Sequence, residues 1–333
     1  MRKDWKRYAV VGVLAANLAA LALLSERELS LYVLLALTAT VTVGVSLLMG
    51  QAGQVSLGQG AFYAIGAYAA GVLATRGYPP LLGLLLAPVA AAAIAVVIGV
   101  PLLVLRGHHL AFATLAMHLI CLSVIGELGS ITGGDVGLMN IPRLRIGSVQ
   151  LDSIRSYACL SFVALLLVVI VARNILESRP GRALRALSGS ELAAASSGVP
   201  VGPYKLAIFA LSAAFAGLAG GIYAFHMGYI APGSFPVLLS IEFVVIAAVG
   251  GLGSISGAVA GTLIVLLLVH GLSRLATSSG MPSTAPVILS YAAYAGLLVL
   301  AVLFLPGGVV ALLKSLLTRT PRPASAERSA THS

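Results

Sequence analysis

The chain has 333 residues, of which 59% are hydrophobic and only 9% charged, and its mean hydropathy is +1.04. Placing that many apolar residues leaves no surface for water, which excludes a soluble globule and predicts a polytopic membrane protein. The net charge of +10 does not point to nucleic acid, because the basic residues collect at Arg2, Lys3, Lys6 and Arg7, in one central loop and in the tail, the distribution expected of topology signals.

A span needs roughly 20 mostly apolar residues to cross about 30 Å of hydrocarbon. Stretches of that kind recur at residues 8–24, 29–48, 57–75, 81–105, 108–126, 156–172, 206–228, 237–250, 255–273 and 285–305. The expected fold is therefore all-α, a polytopic transmembrane helical bundle of roughly ten spans with N-terminus and C-terminus both cytoplasmic. Residues 8–24 follow a basic start and end near Ala20-Leu21-Ala22, but their apolar core is longer than that of a secretory signal. They read as an uncleaved first helix. Pro88 and Pro101 predict a tilt or kink in 81–105. Residues 127–155 form the longest outward loop, 1–318 a single transmembrane domain, and 319–333, opening on Thr320-Pro321-Arg322-Pro323, a disordered cytoplasmic tail. Cys121 and Cys159 read as small hydrophobes, and His118 and His226 as hydrogen-bonded structural residues on apolar helices.

Two stretches interrupt the apolar pattern with glycine and neutral polar residues. The first, residues 50–60, carries Gln51, Gln54, Ser56 and Gln59; the second, residues 250–257, runs Gly-Gly-Leu-Gly-Ser-Ile-Ser-Gly. Backbone that leaves the helix within a bilayer is tolerated only where protein buries it or water reaches it. Two readings stand: tight turns at the cytoplasmic surface, or the wall of a translocation pathway in which Gln51, Gln54, Ser56 and Gln59 supply neutral donors and acceptors. Gly50, Gly53 and Ser56 match Gly250, Gly253 and Ser256 in spacing, a weak sign of an internal repeat. Glu242 stands in an apolar run, where a carboxylate costs roughly 2.5 to 3.5 kcal/mol at mid-depth. Its place near the outer end of a predicted span favours interfacial anchoring over a functional role.

Residues 173–205 concentrate Arg173, Arg179, Arg182, Arg185 and Lys205 around an alanine-rich centre. Lys and Arg collect in cytoplasmic loops, so this segment is expected inside the cell, with a short helix at its centre. A phosphate-cradling loop needs Gly-Lys-Ser/Thr, and none of Lys3, Lys6, Lys205 and Lys314 follows a glycine. Gly253-Ser254-Ile255-Ser256-Gly257 has isoleucine where a nucleophilic serine would stand, and no His-Glu-x-x-His occurs. An enzyme is disfavoured, and no cofactor or metal is expected. Apart from Glu242, acidic residues avoid the predicted spans except near their ends, as at Glu127. That weakens a proton- or sodium-driven carrier, although a stand-alone channel or ion-coupled carrier stays open as a reading from a different class.

Four ordered blocks, spread over residues 40 to 270, carry a resemblance. They are Gly50 to Gly71 with Gln-Val-Ser-Leu-Gly-Gln-Gly-Ala-Phe; Arg106-Gly107, Ala113-Thr114-Leu115-Ala116 and Thr132 to Leu138; Gly181 to Gly198 with Tyr204-Lys205-Leu206 and Phe215 to Gly220; and Ser240-Ile241-Glu242 with Gly250 to Ser254. The chain resembles the membrane permease subunits of branched-chain amino acid ABC importers, the LivM type in particular. The resemblance implies a permease in a prokaryotic plasma membrane that imports branched-chain or other small amino acids by alternating access. It also implies a homologous second permease subunit, two cytoplasmic ATPase subunits and an extracytoplasmic solute-binding protein. Urea or short amides are the alternative cargo. The family's ATPase-coupling segment falls on Glu191, Ala193, Ala194 and Gly198, although Ala195-Ser196-Ser197 departs from a pattern that often carries another glutamate there.

Overall fold

The computed structural model describes Asn17 and residues 23–105, 107–147, 149–278 and 285–304. The predicted segment 8–24, apart from Asn17, Leu23 and Leu24, and the predicted tail 319–333 lie outside the described residues. Twelve α-helices occur among the described residues: α1 Glu26–Ala52, α2 Gln59–Thr75, α3 Pro80–Leu102, α4 His108–Glu127, α5 Gly129–Thr132, α6 Ile154–Glu177, α7 Arg179–Gly189, α8 Glu191–Ser196, α9 Val201–Met227, α10 Val237–Gly250, α11 Ile255–Ser278 and α12 Ala285–Phe304. A two-residue antiparallel ladder, Arg145–Ile146 with Val149–Gln150, interrupts the helical pattern only between α5 and α6. Among the described residues, seven segments are long and apolar enough to cross a membrane: α1, α3, α4, α6, α9, α10 with the short 3-10 turn before it, and α11. Each predicted segment from 29–48 onward falls on a helix, with α2 and α12 outside that set of seven.

The outward faces of these helices are apolar. Val97, Val100, Phe112 and Leu167 are each more than half exposed, which suits hydrocarbon rather than water. Inside, α9 is the central element, packed against α2, α3 and α1, while α1 also carries α6. Small residues set these distances. Gly66 of α2 lies against the backbone of Gly217 in α9, Gly220 against the backbone of Tyr63, and Gly217 and Gly221 against Ala87 and Ala91 of α3. A side chain at these points would collide with backbone, so the glycines let the helices touch along their axes. Phe62 and Phe209 seal the α2–α9 contact edge to face at 5.5 Å. A second apolar cluster, Val245, Ile246, Val249, Val265, Val269 and Tyr294, joins α10, α11 and α12. Pro88 and Pro101 lie within the continuous helix α3.

The loop segments sort by contact. At one end of the bundle, Leu138 pairs with Ile230, Tyr229 Oη donates to the Val136 carbonyl at 2.7 Å, and Gly71 near the end of α2 faces Leu138 and Ile141. The opposite ends of the same helices lead into the two polar interruptions and into α7 and α8. Asn17 Nδ2 donates to Tyr32 Oη on α1.

Candidate functional site

Two helices are short. With 17 and 14 residues, α2 and α10 extend about 25 Å and 21 Å at 1.5 Å per residue, less than the roughly 30 Å of hydrocarbon. Each is entered through backbone that is not α-helical: residues 53–58 before α2, and 228–236, with the 3-10 turn Pro232–Ser234, before α10. Their first turns meet. Gly60 N–H donates to Ser240 Oγ at 2.8 Å, Ser240 Oγ pairs with His118 Nδ1 at 3.0 Å, and His118 Nε2 lies 3.2 Å from the Phe235 carbonyl. A carbonyl only accepts, so Nε2 carries the proton, Nδ1 accepts from the Ser240 hydroxyl, and Ser240 accepts from Gly60. One tautomer satisfies every partner, which gives His118 the structural role expected of it and ties α4 to both short helices. Leu57 N–H adds a bond to Thr114 Oγ1 of α4 at 2.9 Å. Phe235 stands among Tyr63, Tyr68 and Tyr223 at ring distances of 5.8, 6.1 and 5.8 Å.

The four polar residues predicted for a pathway have different fates. Gln54 and Gln59 are 2% and 0% exposed, and neither atom of either amide has a hydrogen-bond partner among the described residues. Ser56, also buried, accepts from Gly58 N–H at 3.3 Å. Gln51 turns the other way: its Nε2 donates to the Gly253 carbonyl at 3.1 Å, while its Oε1 is unpartnered. Buried polar side chains are almost always paired, and among the described residues three of the five side chains with unpartnered buried atoms come from residues 50–60, the others being Tyr68 and Ser212. Thr114, His118 and Ser240 hydrogen-bond around the start of α2. Of these three, the sequence reading singled out only His118 as a hydrogen-bonding residue.

The two interruptions pack on each other. Gly253 N–H donates to Ser46, with the carbonyl and the hydroxyl oxygen each at 3.0 Å, and the backbone of Gly50 rests directly on that of Leu252 and Gly253. Gly257 and Gly261 in turn lie against Gly250. A Cβ on Gly50 would overlap the Gly253 backbone, so glycine is the residue this contact admits.

In the loop 173–205, Ser178 caps α7, whose Gly181, Leu184 and Leu187 are buried at helical spacing while Arg179, Arg182 and Arg185 are exposed. Arg185 Nη1 donates back to the Leu176 carbonyl at 2.9 Å. Ser190 caps α8 through the Ala193 N–H at 3.3 Å. At its other end Gly198 takes φ +81°, Val199 N–H donates to the Ala194 carbonyl at 3.0 Å and Gly198 N–H to the Ala195 carbonyl at 3.0 Å. These two bonds with a left-handed glycine terminate the helix. Of the four residues predicted for coupling, only Ala193 and Gly198 are exposed; Ala194 is 2% exposed and Glu191 forms an ion pair with Lys205. Leu192, which the sequence reading passed over, is 83% exposed beside Ala193. An apolar side chain standing out from a charged loop was the signal available for it.

Glu242 accepts from the Tyr294 hydroxyl of α12. Half-buried on α10, Glu242 thus also joins α10 to α12. No cluster of three or more metal-ligating side chains occurs among the described residues.

Long apolar helices with apolar outer faces, two short helices that meet at their first turns, and a capped basic loop define a multi-pass membrane protein whose largely apolar interior holds a small group of buried polar side chains. Residues 28–318 match the family described as the permease component of branched-chain amino acid transport systems, and the chain belongs to that family. Among curated proteins it is 34% identical over 242 residues to the high-affinity branched-chain amino acid transport system permease protein LivM of Escherichia coli, covering 64% of this chain and 56% of the relative. It is 35% identical over 236 residues, with the same coverages, to LivM of Salmonella typhimurium. It is also 32% identical over 165 residues to the xylose transport system permease protein XylH of Haemophilus influenzae, covering 47% of this chain and 41% of that one. The chain thus spans about half the length of the curated relatives it matches. No solved structure matches it.

Proposed function

We propose that this chain is a membrane subunit of an ATP-driven importer that moves a branched-chain or other small amino acid inward. It works beside a homologous second permease, two cytoplasmic ATPase subunits and an extracytoplasmic solute-binding protein, in the plasma membrane of a prokaryote. The observation that carries the reading, beyond family membership, is the pair of buried, unpartnered amides of Gln54 and Gln59 next to the meeting point of two short helices. Broken helices near mid-membrane place free backbone groups where a polar solute passes. Neutral amides bind a zwitterion by hydrogen bonds without the strong charge pairing that would slow its release. Gln51 and Ser56 flank this wall and hold the interruption in shape.

Ten spans put both termini and the loop 173–205 in the cytoplasm. There α8 offers Leu192 and Ala193 to a socket on the ATPase, with Gly198 ending the helix and Ala194 holding it to the bundle. The test is reconstitution in proteoliposomes, measuring radiolabelled leucine uptake. The expected result is uptake that requires ATP, both ATPases and the binding protein. Flux through this chain alone, without ATP, would overturn the proposal in favour of a channel or ion-coupled carrier.

A further inference from the structure

We infer that the ion pair between Lys205 and Glu191 is a strut that fixes the coupling helix α8 to the central helix α9, so that a push on α8 reaches the site where α2 and α10 meet. The inference rests on the transport reading above and gives that reading its transmission path. Lys205 lies in the first turns of α9 and is only 6% exposed, and its Nζ bonds to Oε1 of Glu191, the first residue of α8.

The backbone between the two helices, residues 197–200, includes Gly198 at φ +81° with open space where a side chain would be. The capping bonds at Gly198 and Val199 hold the end of α8 itself, but they do not reach α9 beyond Pro200. The Lys205–Glu191 pair spans this connection. On α8 only Ala194 is buried, too small a contact to hold the helix at a fixed angle on its own.

Two other roles fit less well. A lysine anchoring the bundle to lipid headgroups extends its ammonium into the interface, whereas Lys205 is buried. A glutamate reserved for an ATPase would present its carboxylate outward, whereas an oxygen of Glu191 is engaged within this chain. By contrast, the Arg173–Glu177 pair, at 2.9 Å, is exposed at both partners and is worth little.

From Lys205 the path continues through packing that has no slack. α9 meets α2 backbone to backbone at Gly217 with Gly66 and at Gly220 with Tyr63, and α2 carries Gln59 as its first residue. A tilt of α8 carried into α9 therefore moves the start of α2 as well, because interdigitated helices do not deform independently.

Lys205 is buried, so removing Glu191 alone would strand its charge whereas removing both would not, and the informative variant is Glu191→Gln/Lys205→Met. The complete transporter is reconstituted in proteoliposomes, and leucine taken up per ATP hydrolysed is compared for the wild type, this double variant and the charge exchange Glu191→Lys/Lys205→Glu. The double variant is expected to assemble and hydrolyse ATP but to lose at least about fivefold in uptake per ATP, the lower end of a typical coupling between sites. The exchange is expected to recover most of that loss. An unchanged ratio in the double variant, an exchange as defective as the double variant, or a loss fully accounted for by less assembled complex would overturn the strut. A wild-type complex that shows no ATP-driven uptake would instead sink the transport reading itself, whatever the variants do.

Discussion

Gln59 begins a helix with its side chain fully buried and both amide atoms unpartnered, and Gln54 repeats the arrangement five residues earlier. An unsatisfied buried polar group costs about 1–3 kcal/mol. Replacing both by leucine removes that cost, so Gln54→Leu/Gln59→Leu is expected to raise the Tm of the detergent-solubilised protein by at least about 2–4 °C. The same variant is expected to lower uptake about tenfold or more, the equivalent of one lost hydrogen bond to the solute. A fall in Tm with unchanged uptake would mark the two amides as ordinary packing. Gly50 carries the opposite expectation. A methyl group there meets the Gly253 backbone, so Gly50→Ala should destabilise by about 1–3 kcal/mol, the usual cost of overpacking, read as a lower Tm. At this scale the sequence showed the polar residues but not their partners. Gln51 reaching Gly253, and Gly60, Ser240 and His118 sharing one chain of hydrogen bonds that ends on Phe235, join residues 117 to 202 positions apart, which no local pattern encodes.

The helix α8 separates residues that the sequence grouped together. Ala193 is exposed and Ala194 buried on the same turn, so an aspartate has different consequences at the two sites. Leu192→Asp and Ala193→Asp should leave expression and Tm unchanged while reducing ATPase co-purification by about tenfold, the scale of one interface contact of 1–2 kcal/mol. Ala194→Asp should lower expression itself, because it buries an unpaired charge. Equal ATPase binding in the Leu192 and Ala193 variants would remove α8 from the docking surface. The elements were largely legible: a run of apolar residues between turn signals located each predicted segment from 29–48 onward on a helix. The shortness of α2 and α10 was less so, because the polar stretch before α2 and the segment before α10 look in sequence like any connection at a membrane surface. Only their contacts with α4 place them against the interior of the bundle.

For the molecule as a whole, composition alone indicated a multi-pass membrane protein, and the ordered sequence blocks indicated the family to which the chain belongs. The matching glycine and serine spacing of the two interruptions was a weak sign of a repeat and gave no indication that they touch. The structure shows Gly50 and Gly253 in direct contact, since glycine at both places lets two chain segments approach as closely as strands of bare backbone. At Glu242, position along a helix is visible in sequence, but the face turned toward Tyr294 of α12 is not.

The glycine contacts of α9 have a mechanical consequence. Helices that touch through backbone at Gly66, Gly217 and Gly220 have no side-chain cushion to compress and none to slide over, so α2, α3 and α9 would rock as one block rather than part from each other. On the transport reading proposed above, a gate built this way would open at the block's perimeter, where it meets α1, α10 and α4, along a seam past Gln54 and Gln59.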